Sequence, residues 1–130
     1  MKPKNLFLIL SGMLNLFTFF LHLIGGQISL IKPLLNSNLD LQIKTELLGV
    51  WHMVTIILFI TSVILLYIGF NQRKKIFIEL LIFIGYLYIF FSLPFIIISI
   101  LYGLLVPQWI LLLPIGIGTM IGVKKMRTNA

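Results

Sequence analysis

The sequence contains no cysteine and only three acidic residues, Asp40, Glu46 and Glu79, against ten lysines and arginines. The absence of cysteine excludes disulfides, thiolate catalysis and Cys-ligated zinc or iron–sulfur centres. Three scattered acids provide no paired carboxylates. No nucleophile stands with an identifiable base, and there is no phosphate-cradling or dinucleotide-binding glycine motif. An enzyme is therefore not the expected class. What abounds is apolar: 60% of the 130 residues are hydrophobic, and the mean hydropathy is +1.15. A soluble domain of this size has no interior large enough for so much apolar surface.

Four apolar runs exceed the roughly 20 residues a helix needs to cross a bilayer. They predict an all-α, integral membrane chain, a single domain over residues 1–130 folded as an antiparallel four-transmembrane-helix bundle. The helices are expected at about 6–26, 38–70, 76–101 and 104–123. The first run is too long for a signal-peptide core and lacks a small-residue cleavage motif, so it reads as an uncleaved helix. Short connections make span one a neighbour of span two, and span three of span four.

The net charge of +7 forms no face or stripe, so no nucleic-acid partner is expected; the lipid bilayer is the expected partner. Lys2, Lys4, Arg73, Lys74, Lys75, Lys124, Lys125 and Arg127 flank spans on one side, whereas only Lys32 and Lys44 fall on the other. Eight basic residues against two orient both termini to the cytoplasm. In the long connection, Gln27 to Leu48, Lys32-Pro33 is expected to end whatever precedes it. Ser37 with Asp40 resembles a capping box that starts a helix running into span two.

Each span carries small or polar residues at helical spacing, the pattern that packs helices in lipid. Span one offers Ser11, Asn15, Thr18, His22, Gly25 and Ser29. Span two offers His52, Thr55, Phe59, Ser62, Leu66 and Gly69. Span three offers Gly85, Tyr88, Ser92, Phe95, Ser99 and Tyr102, and span four the pair Gly118 and Gly122. Pro94 and Pro114 interrupt the backbone ladder of spans three and four, whereas Pro107 suits the first turn of span four.

An imidazole inside a bilayer is costly, so His22 and His52, at matching outer depth on polar seams, mark the candidate site. Trp51, Glu46, Asn15, Thr18 and Thr55 complete its expected lining. Three ligand readings stand open. The imidazoles could be axial ligands to haem. They could bind a metal with Glu46 or Asp40. They could pass protons or hold the head of a quinone or lipid. In a fourth reading they fix helix register by hydrogen bonds, with Tyr102 and Gln108 as partners, and Trp51 as a partner through packing. Glu79, in the first turn of span three beside a basic cluster, reads as an interfacial anchor. Small multidrug exporters have the same size and helix number, but they depend on a glutamate deep in the first helix, which this chain lacks.

The stretch His22-Leu23-Ile24-Gly25-Gly26, followed by Pro33-Leu34-Leu35 and Trp51-His52, resembles a family of small bacterial four-helix membrane proteins of unassigned function. The shared pattern is H-x-x-G-G, then P-L-L, then W-H, over roughly residues 22 to 60. The resemblance implies a bacterial plasma (inner) membrane, and that the two histidines and their connection form one outer unit. The expectation is a non-enzymatic membrane protein whose outward-facing polar pocket binds a small ligand or ion, as a homodimer or a complex subunit. The alternatives are a haem- or quinone-binding redox component, and a structural or assembly subunit without ligand.

Overall fold

The computed structural model describes residues 4–71 and 77–128, all helix or short turn. Helix α1 (Leu6–Phe20) continues through two wider π-helical stretches, Leu21–Gly25 and Gln27–Ile31, into α2 (Lys32–Leu35). Together they form one helical rod, Leu6–Leu35. Helices α3 (Leu41–Asn71), α4 (Ile78–Tyr102) and α5 (Gln108–Thr128) follow. All four rods are long and apolar enough to cross a membrane. The chain is an all-α, four-helix membrane bundle.

Helix α1 packs against both α3 and α5, and α4 closes on α5. Sequence neighbours therefore pair as expected, and α1 adds a second contact, to the last helix. Close approach is set by glycine. A Cβ on Gly12 would lie 3.0 Å from the Leu66 backbone nitrogen, and one on Gly116 would lie 2.8 Å from the Gly85 carbonyl oxygen. Backbones this near exchange dispersion contacts that bulkier residues forbid. The core between them holds Leu8, Leu65, Leu81, Ile84, Tyr88 and Ile115, all fully buried.

The ends of the helices depart from expectation in three places. The first rod runs nine residues past Gly26, because Pro33 enters at the start of a fresh α turn, where its missing N–H costs nothing. The long connection thus shrinks to Asn36–Asp40. Within it, the Ser37 hydroxyl donates back to the Leu34 carbonyl and does not open a capping box, and the Asp40 carbonyl accepts the first bond of α3 from Lys44 N. Finally, α5 begins at Gln108, not 104, since Gly103 ends α4 in the left-handed conformation (φ 62°). Pro107 lies just before α5, its carbonyl accepting from Ile110 N. Pro94 and Pro114 lie on exposed helix faces, as do Phe90 and Ile110, whose carbonyls lose an intrahelical donor.

One end of the bundle is tied by Asn5. Its backbone N–H donates to Gly69 O of α3, its side-chain amide donates to Gly122 O of α5, and its Oδ1 caps α1 by accepting from Leu8 N. Lys4 lies over the Phe70 ring and Lys125 over that of Phe7 at this same end. Lys2 and Arg73, Lys74 and Lys75 fall outside the described residues.

Candidate functional site

Polar side chains gather at two depths. At mid-bundle Asn15, Thr61 and Tyr88, from three different helices, form a closed cluster. Tyr88 Oη donates to Asn15 Oδ1 (2.9 Å) and lies 2.6 Å from Thr61 Oγ1. Asn15 Nδ2 donates to Thr61 Oγ1 (2.8 Å) and to the Leu58 carbonyl (3.2 Å), and Thr61 Oγ1 also reaches the Ile57 carbonyl at 2.7 Å. Four hydrogens, two from the amide and one from each hydroxyl, all find acceptors. Asn15 and Tyr88 are completely buried. The expected ligand residue Asn15 is consumed by packing.

Toward the end of the bundle opposite Asn5, α1 and α3 meet through a ring stack. The His22 imidazole lies flat on the Trp51 indole, with centroids 3.6 Å apart and planes within 11°. His22 Nε2 lies 3.2 Å from the Trp51 carbonyl oxygen. A carbonyl only accepts, so Nε2 carries the hydrogen, and in the neutral ring Nδ1 keeps the free lone pair. The same carbonyl accepts from Thr55 Oγ1 at 3.0 Å. Gly26 makes the stack fit: a Cβ there would run into the Trp51 ring. Trp51 Nε1 is buried and has no hydrogen-bond partner among the described residues. The Oε1 of Gln108 at the start of α5 is likewise buried and unpaired, and Tyr102 is 72% exposed, so neither serves His22.

The other expected members make no hydrogen bond to the His22 or Trp51 side chain among the described residues. His52 is exposed, on the outward side of α3. Thr18 bonds the Leu14 carbonyl within its own helix. Glu46 is exposed and accepts from Gln42 Nε2. Among the described residues no three His, Asp or Glu side chains come together, so Glu46 and Asp40 do not join the histidines around a metal. Nor does the geometry suit bis-histidine haem. Nε2 of His22 is engaged with the Trp51 carbonyl and one face of its ring is covered by indole.

Trp51, expected in the lining and as a packing partner of the histidines, is the residue that meets His22, whereas the expected α3 seam runs through its neighbour His52. The buried stripe of α3 contains Thr55, Leu58, Ser62, Leu65 and Gly69, and Trp51 continues it one turn earlier. The expected seam shares Thr55, Ser62 and Gly69 but substitutes His52, Phe59 and Leu66. On α1 the expected seam holds through Asn15 and Thr18 to His22, then shifts. The π-helical turns put Gly26 and Ile31 on the buried side in place of Gly25 and Ser29. Thr61 and Asn5 were missed altogether. For Asn5 a signal existed, an asparagine directly before an apolar run, which is a helix-cap pattern. No family model, no curated protein and no solved structure matches this chain, and its function must be argued from these side chains.

Proposed function

We propose that this chain is a non-enzymatic membrane protein that binds a small ligand at the outer corner formed by His22 and Trp51. The observation that carries the reading is the Trp51 indole N–H, buried and unpaired among the described residues, beside the stacked His22 ring. A buried donor left without an acceptor costs about 1–3 kcal/mol, and an acceptor group on a bound molecule offsets that cost. Nδ1 of His22 adds a lone pair at the same corner. The ligand is thus one with an accepting oxygen and a donating hydroxyl or amine, of a size to lie against Trp51. Both termini lie on the cytoplasmic side of a bacterial plasma membrane in this reading, because the basic ends Lys4, Lys124, Lys125 and Arg127 share one end of the bundle.

Native mass spectrometry of the protein released from nanodiscs formed directly from the membrane tests this. A retained small molecule, lost in Trp51→Phe and weakened in His22→Gln, is the expected result. A bare protein, with both variants as stable as the parent, overturns it.

A second reading, an assembly subunit without ligand, is favoured by the Asn15–Thr61–Tyr88 cluster, which spends the central polar residues on holding helices together. It predicts co-purification with a membrane partner, or a homodimer, that survives Trp51→Phe.

A further inference from the structure

A groove of about 660 Å³ runs along the outside of the bundle between α4 and α5, at the end opposite the His22–Trp51 corner. Its walls include Ile82 and Tyr86 of α4 and Ile117 and Ile121 of α5, and its mouth is flanked by Lys124 and Arg127. The arrangement follows from helical spacing. Ile117, Ile121 and Lys124 recur at steps of four and three on one face of α5, and Ile82 and Tyr86 do so on α4. The result is a slot that is apolar along its length and doubly cationic at the end of the bundle where α5 finishes.

We propose that this groove binds an anionic phospholipid, with its phosphate held between Lys124 and Arg127 and an acyl chain along the isoleucine walls. Charge complementarity selects this occupant. A second copy of the chain is a poor one, because it carries three acids in all, two of them, Asp40 and Glu46, at the start of α3 at the other end of the bundle. Glu79, in the first turn of α4, stands one turn before Ile82 on the same side and opposes the anion. Among the described residues, two cations against one carboxylate leave the mouth positive. A zwitterionic lipid gains nothing net from that field, whereas phosphatidylglycerol does.

The test is native mass spectrometry of the full chain in mild detergent, titrated with equal phosphatidylglycerol and phosphatidylcholine of matched acyl chains. The expected result is preferential retention of phosphatidylglycerol. Lys124→Gln and Arg127→Gln should each reduce that preference about fivefold, the effect of one basic residue at a membrane surface, and Glu79→Gln should raise it. Lys125→Gln removes the same charge from a residue whose ammonium lies over Phe7, outside the groove, and should leave the preference nearly intact. Equal loss in Lys125→Gln and Lys124→Gln would mean diffuse surface attraction and overturns the site, as does the absence of any headgroup preference. Ile121→Trp, which fills the groove and keeps every charge, should also lower retention; unchanged binding there refutes the acyl-chain placement.

Discussion

Tyr88→Phe is the sharpest probe of what holds the helices together. It deletes one oxygen from a completely buried ring and leaves the volume of the core almost unchanged. Two contacts go with it, the 2.9 Å bond to Asn15 Oδ1 and the 2.6 Å bond with Thr61 Oγ1. Thr61 is not stranded, because its hydroxyl still reaches the Ile57 carbonyl and still accepts from Asn15 Nδ2. Asn15 Oδ1 is stranded, as none of its other recorded bonds involves that oxygen. Interhelical hydrogen bonds in membranes average about 0.6 kcal/mol and reach about 1.7. An orphaned buried acceptor adds about 1–3 kcal/mol. The loss should therefore be about 1.5–4.5 kcal/mol, read from unfolding equilibria in mixed detergent micelles. Asn15→Leu removes the oxygen that Tyr88 satisfies, so the double variant should be less destabilised than the sum of the singles, by about 1 kcal/mol. Additive effects, or a Tyr88→Phe protein within about 0.3 kcal/mol of the parent (below the spread expected of independent sites), would refute the closed-cluster account.

Other sites give further outcomes. Gly26→Ala, whose new Cβ meets the Trp51 ring, should displace the indole from His22. In a Trp109→Phe background it should red-shift the emission of the remaining tryptophan, whereas Gly25→Ala, with open space around it, should not. Gly116→Ala should cost about 1–3 kcal/mol by overpacking, since its methyl would meet the Gly85 carbonyl and the Ile89 backbone nitrogen; thermal stability in detergent checks it. Asn5→Ala loses a helix cap and the link to Gly122 O and should destabilise by at least about 1 kcal/mol. The chain has no native cysteine, so single Ser37→Cys and Thr128→Cys variants report sidedness cleanly. With cytoplasmic termini, an impermeant maleimide should label the first in intact cells and the second only after permeabilisation.

The number, order and apolar character of the helices are legible in the sequence because hydrocarbon thickness imposes a length that hydropathy alone reveals. Pairing of sequential spans is legible too, from the short connections. The site is legible only in part. The α3 seam is ambiguous because two rows at the same spacing share Thr55, Ser62 and Gly69, and the alternatives Trp51 or His52, Leu58 or Phe59, and Leu65 or Leu66 differ by one residue. Polarity favoured the row with the histidine. In lipid, however, a large ring on a glycine can win over a polar side chain at the helix interface, and Trp51 packs where Gly26 leaves room. The shift on α1 beyond His22 was hidden for a different reason. A π-helical turn changes the phase of the buried face, and no residue type announces it.

The tie from Asn5 to Gly122 joins positions 117 residues apart, and the helix it anchors packs against both α3 and α5. Contacts of this kind can form only after the last helix has been made. The first helix enters the membrane with Leu8, Ser11 and Asn15 facing lipid, α3 covers part of that face, and the remainder waits until the last helix is made. A chain shortened before α5 would leave Leu8 and the Asn5 amide without their final neighbour. Completion of synthesis, and not insertion of any single span, is then the event that closes the bundle.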